Sequence, residues 1–147
     1  MSATIRIDDR EVTEFLHTLL QKTGNLTPLM DDIGAKMETR VSSRFETQSD
    51  PLGAPWAAWA PATKLSYPDD GNGRVLDRHG HMLDSLGYEA DESSVTYGFA
   101  SPYAAYHEFG TVTMPRRSML MADPEAGTLS GDDQRAVLET IEAYFMP

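Results

Sequence analysis

LGYEADESSVTYGF, residues 86–99, is the stretch on which the fold class turns. Leu86, Tyr88 and Ala90 alternate with Gly87, Glu89 and Asp91. After a polar break at Glu92 and Ser93, Val95, Tyr97 and Phe99 alternate with Thr96 and Gly98. Successive side chains of a strand point to opposite faces, so two period-two runs separated by a few polar residues predict a β-hairpin. Toward the C-terminus, Ser101-Pro102 offers a helix cap followed by proline and Gly110 a stop, which bracket a short helix over Tyr103–Phe109. There, Ala104 and Ala105 permit close packing while Tyr103, Tyr106 and Phe109 are expected to anchor the helix to the sheet. Thr111–Met114 and Ser118–Met121 are candidates for further short strands. A last helix is predicted from near Ser130, with Val137, Leu138, Ile141, Tyr144 and Phe145 on one stripe and Asp132 and Asp133 complementing the dipole of its first turn.

Toward the N-terminus, Thr27 is a cap candidate and Pro28 suits the first helical position, where its missing N–H costs nothing. Leu29, Ile33, Met37, Val41 and Phe45 then recur every four residues and predict a long helix to about Thr47. Residues 9–23 carry Val12, Phe15, Leu16, Leu19 and Leu20 at helical spacing, with Asp8 or Asp9 to start and Gly24 to stop. Only a few residues join the two helices, so they are expected to pair as an antiparallel hairpin. Ser49–Ala62 (SDPLGAPWAAWAPA) holds three prolines and both tryptophans, too much proline for a helix and too apolar for an idle linker. Tyr67–Arg74 (YPDDGNGR) is the most turn-rich segment and the expected mobile tip. The sum is an α+β fold: an N-terminal helical hairpin and a C-terminal helix packed on a small antiparallel β-sheet, in a single domain over residues 1–147.

The 147 residues fit one domain of ordinary globular composition, 40% apolar and 24% charged. No apolar run approaches a membrane span, and Met1–Arg10 has no apolar signal core. The absence of cysteine removes disulfides, thiolate metal sites and thiol nucleophiles together, and fits a cytosolic origin. With 12 Lys and Arg against 23 Asp and Glu, the net charge of −11 argues against simple binding to nucleic acid, which needs bases to replace phosphate counterions.

Candidate chemistry is sparse. Asp77-Arg78-His79-Gly80-His81 could contribute to a metal shell with His107 and Glu108, but Gly80 followed by Met82 and Leu83 predicts a turn into a short helix that splays the two rings. His107-Glu108 lacks the second histidine of a metalloprotease helix, and Gly71-Asn72-Gly73 lacks the Lys-Ser/Thr ending of a phosphate loop. No nucleophile elbow orders the serines. Surface or capping histidines, and a His107-Glu108 pair at a helix rim, are the plainer alternatives. Trp56 and Trp59 could cap the core or face another subunit, since tryptophan, tyrosine and methionine concentrate at the buried centres of interfaces. Arg116 and Arg117 could pair with a neighbour's carboxylates or stay solvated.

Four segments in order carry a resemblance: Asp50-Pro51-x-Gly53-x-Pro55-Trp56 with Pro61-Ala62-Thr63; Val75-Leu76 with Gly80-His81-Met82-Leu83-x-Ser85; Tyr103-Ala104-Ala105-Tyr106-His107-Glu108-Phe109-Gly110; and Met114-Pro115-Arg116-Arg117-Ser118-Met119-Leu120. From about Arg44 to Leu120 the chain resembles the phage virion morphogenesis, or tail-completion, family of Mu-like phages and prophages. The resemblance implies a non-enzymatic structural protein without cofactors, acting in tail completion or head–tail joining. It implies partners among tail and head–tail connector proteins, self-association into a ring around the DNA channel, and no membrane. DNA would be passing cargo, which an acidic lumen would not hold. The protein would reside in the host cytoplasm during assembly and then in the virion. Trp56, Trp59, Tyr103, His107, Arg116 and Arg117 are the expected interface residues. The alternative is a metal-dependent enzyme using His79, His81 and His107.

Overall fold

The computed structural model describes residues 3–6, 24–66, 74–77 and 80–145, together with Glu14, His17, Thr18 and Gln21. The hairpin forms as the alternation predicts: β2 (Leu86–Ala90) pairs antiparallel with β3 (Val95–Phe99), Tyr88 opposite Tyr97 and Leu86 opposite Phe99. Asp91 closes the turn. Its carboxylate accepts the amides of Ser93 (2.9 Å) and Ser94 (2.7 Å) and the Ser94 hydroxyl (2.9 Å), and these hydrogen bonds, led by the Ser93 amide, hold its pKa below the usual carboxylate value.

A strand at the N-terminus was not expected. β1 (Ala3–Arg6) pairs with the other edge of β3, Ala3 opposite Phe99 and Arg6 opposite Thr96, so the sheet order is β1-β3-β2. Four residues give too short an alternation to stand out in a polar N-terminus; the open edge of β3 makes them a strand. With a neighbour on each side, β3 buries Val95, Tyr97 and Phe99.

The long helix α1 (Thr27–Thr47) lies against β2 and β3 and buries Leu29, Met30, Ile33, Met37, Val41 and Phe45. Its start differs from expectation. Thr27 is the first helical residue, not the cap; Asn25 Oδ1 accepts both the Thr27 amide (2.9 Å) and hydroxyl (2.6 Å). No side chain caps the helix itself, a loss of about 1 kcal/mol. Burial outweighs it, because each large apolar side chain of the row contributes about 1.5–3 kcal/mol. At the far end Gln48 adopts a left-handed conformation (φ 55°) that ends the helix. The other arm of the expected hairpin, residues 9–23, falls mostly outside the described residues; of those described, Glu14, His17, Thr18 and Gln21 are helical and exposed. Most of the Tyr67–Arg74 loop, residues 67–73, also lies outside them.

Two short helices follow, α2 (Pro61–Ser66) and α3 (His81–Asp84), the second entered through Gly80 at φ 81° as its glycine predicts. Beyond the sheet come α4 (Ala104–Phe109) and α5 (Gly131–Phe145). Helix α5 packs on α1 through Ala136, Val137 and Ile141, but Leu138 and Tyr144 of the expected stripe are exposed. Asp133 does not simply complement the dipole: it is buried, one turn before Val137 on the inward face. The architecture is α+β, helices on an antiparallel sheet.

Neither predicted extra strand exists. Thr111–Met114 is a tight turn closed by its own backbone (Thr111 N to Met114 O, 3.0 Å), and Ser118–Met121 is a buried irregular segment. Helix α4 also reverses its expected orientation. Ala104, Ala105 and Glu108 are buried, whereas Tyr103, Tyr106 and Phe109 are 66%, 52% and 49% exposed.

Candidate functional site

The proline-rich loop is a turn with a built-in brace. Asp50 Oδ1 accepts the amides of Leu52 and Ala54, each at 2.9 Å, while the Asp50 amide donates to the Ala54 carbonyl (2.9 Å). Gly53, at φ 84°, supplies the left-handed residue that this reversal requires. The Asp-Pro-x-Gly spacing is thereby explained: it folds the chain back and delivers Trp56 into the core. Trp56 is only 7% exposed, meets Phe45 edge to face (5.3 Å between centroids) and donates from Nε1 to the Ser118 carbonyl (2.9 Å). Its ring and its donor are both engaged inside the protomer.

Arg117 is engaged within the chain as well. It is buried, with Nε donating to the Ala57 carbonyl (2.8 Å) and Nη2 to that of Ala58 (3.0 Å), while its amide donates to the His107 carbonyl (2.8 Å). The guanidinium ties the tryptophan loop to the end of α4.

Ser118–Met121 is held by side chains from three other parts of the chain. Glu108 accepts the amides of Met119 (2.9 Å), Leu120 (2.7 Å) and Met121 (3.5 Å). Arg44 Nη1 donates to the Met119 carbonyl (2.6 Å), and Trp56 takes that of Ser118. A buried backbone must have partners, and here side chains replace a ladder. Glu108 is therefore a buried brace, not a rim residue. Desolvation raises its pKa above the usual value, and the amide hydrogen bonds and Arg44 oppose that rise. Arg44 also pairs with both oxygens of Asp133 (2.6 and 2.5 Å), whose Oδ1 accepts from Arg40 as well (2.9 Å). The signal was present in the periodicity: Arg44 and Asp133 each interrupt an inward-facing apolar row with a charge.

Gln48, unmarked by any motif, works in the same way. Its side chain accepts the Val75 amide (2.7 Å) and donates to the Val75 carbonyl (3.4 Å), which fastens residues 74–77 to the end of α1. Within that turn Arg74 clamps buried Asp77 through Nε (3.0 Å) and Nη2 (2.5 Å), with Leu76 between them at φ 63°. Asp77 is thus engaged by an arginine, and Glu108, the other carboxylate of the expected metal shell, by backbone amides. Among the described residues no three His, Asp or Glu side chains form a metal-binding group, and His79 lies outside those residues.

These braces bring the four sequence segments together around one groove of about 770 Å³. Trp59, Leu76, Met82, Met114 and Pro115 supply much of its apolar wall, and His81, Tyr103, His107 and Arg117 its polar groups. None of its described lining residues is acidic. Of the six expected interface residues, Trp59, Tyr103, His107 and Arg117 meet here; Arg116 is exposed outside the groove and Trp56 is buried and does not line it. His107 is half-buried, and its Nδ1 is enclosed without a hydrogen-bond partner. Burial, reinforced by the Arg117 charge, lowers its pKa and favours the neutral ring.

The model of the phage virion morphogenesis family matches residues 7–146 of the chain. The chain belongs to that family. It is similar to the Mu-like prophage FluMu G protein 2 of Haemophilus influenzae (strain ATCC 51907 / DSM 11121 / KW20 / Rd), 30% identical over 143 residues that cover 92% of this chain and 90% of that protein. No solved structure matches it. Membership in the virion morphogenesis family gives the chain a structural role in virion assembly. No described helix is long and apolar enough to cross a membrane.

Proposed function

We propose that this virion morphogenesis protein acts in tail completion or head–tail joining, by self-association and by contacts with other tail or connector proteins. One observation carries the proposal: α4 is turned inside out. A lone soluble domain gains most by burying aromatics, yet this helix turns alanines and a glutamate inward and offers Tyr103, Tyr106 and Phe109 to solvent. Val112, on the turn that follows, is fully exposed as well. The groove continues this surface through Tyr103, Thr113 and Met114. Exposed aromatic residues are the composition of an interface core. The acidic surplus elsewhere suits a particle part past which DNA must slide, since like charge removes the phosphate-binding term.

Complementation of a phage lacking this protein tests the reading. A Tyr106→Ala, Phe109→Ala variant is expected to fold like the wild type by circular dichroism, because both side chains are exposed, and to yield particles with unfinished or unjoined tails. Normal infectious titres from the folded variant would overturn the proposal.

A further inference from the structure

We infer that the α4 surface of one copy docks, head to tail, on the outer face of α5 of a second copy. The inference rests on the self-association proposed above and names the two surfaces that carry it. The first is Tyr106, Phe109 and Val112 with Arg116 beside them. A Cβ placed on Gly110 would lie 3.0 Å from the Arg116 amide nitrogen, so the chain returns directly against the end of α4 and sets this exposed arginine next to the aromatic patch. From residue 101 to 118 the single acid is Glu108, and it is buried against backbone amides. The exposed surface of this segment is therefore apolar and basic.

The second surface has the opposite character. From Asp123 to Pro147 there are six acids and one base, Arg135. Asp133 is consumed by Arg44, and the remaining acids are exposed. On the outer side of α5, Leu138 is 44% exposed and is flanked by exposed Glu139 and Glu142, with Arg135 one turn before Glu139. The first surface thus joins unburied apolar groups to a positive charge and the second joins an unburied leucine to a net negative charge, so the signs are opposite. Because one chain carries both, a second copy satisfies each. The contact is heterologous, so it propagates from copy to copy and closes into a ring if the rotation permits.

The absence of cysteine makes the test direct. Val112→Cys and Leu138→Cys, both at exposed positions, are mixed and oxidised; the expected product is the mixed-site disulfide, with same-site pairs rare. By light scattering, Arg116→Glu is expected to weaken association at least about tenfold, a loss of about 1.4 kcal/mol. Adding Glu139→Lys and Glu142→Lys to the same chain is expected to restore it. Association that Arg116→Glu leaves unchanged, or same-site cross-links in excess, overturns this inference while self-association stands. A wild-type chain that remains monomeric at every concentration, and in finished tails, overturns both.

Discussion

Gly34 sits inside α1, where replacing glycine by alanine ordinarily stabilises a helix by about 1 kcal/mol. Here the added methyl would lie 2.6 Å from Cγ of Tyr88, whose ring crosses the helix while its hydroxyl donates to Asp31 (2.9 Å). Overpacking reverses the sign: Gly34→Ala is expected to lower unfolding stability by about 1–3 kcal/mol in urea titration, and Tyr88→Ala in the same chain to recover part of the loss. Tyr97 is the contrary case. Its ring fills the core, but its hydroxyl is buried without a hydrogen-bond partner, and desolvation, with Asp133 nearby, raises its pKa. Tyr97→Phe removes an unsatisfied polar atom and keeps the packing, so its stability is expected to equal the wild type's or exceed it by up to about 1 kcal/mol.

Among the elements, α4 has the most to say about pH. His107 has a folded-state pKa below its unfolded value, so its neutral form contributes stability that is present above about pH 6.5 and lost as pH falls through the lowered pKa. Glu108 has the opposite sign: its raised pKa gives stability that is present below about pH 4.5 and lost as pH rises through the folded value. His107→Gln isolates the first effect. Urea midpoints of wild type and variant, compared from pH 7.5 down to pH 5 (about two units spanning the ordinary histidine pKa), are expected to shift in the variant's favour on acidification. A constant difference across that range would show that the imidazole does not titrate with folding. The same helix shows where pattern reading stops. Its place and its glycine stop were legible from Ser101-Pro102 and Gly110, yet its orientation was not. Inward-facing aromatics are the usual outcome, and nothing within Tyr103–Phe109 announces that Glu108 will find three amide donors more than ten residues away.

At the scale of the molecule, one buried charge cluster joins parts remote in sequence. Arg44 on α1 connects Asp133 on α5 to the carbonyl of Met119, and Glu108 on α4 grips the same segment from its amide side. Removing one member strands another: Arg44→Met leaves Asp133 with only Arg40, and is expected to cost about 3–5 kcal/mol in chemical denaturation. Pairing it with Asp133→Leu is expected to return much of that loss, since a buried ion pair replaced by apolar side chains is often neutral. The site depends on this cluster, because the segment it holds carries Arg117 and Ser118, which in turn position the tryptophan loop.

The hairpin at residues 86–99, the long helix from Thr27, the short helix before Gly110 and the last helix near Ser130 were determined locally, because alternation, helical spacing and proline or glycine punctuation act over a few residues. So was the family resemblance, carried by the order of four short segments. Tertiary structure alone decided that Ala3–Arg6 becomes a strand, that Trp56 and Arg117 are spent inside while Tyr106 and Phe109 are left outside, and that Arg44 meets Asp133. These outcomes depend on which partner satisfies each polar group and which neighbour covers each apolar one. Both are properties of distant contacts, and no local period encodes them.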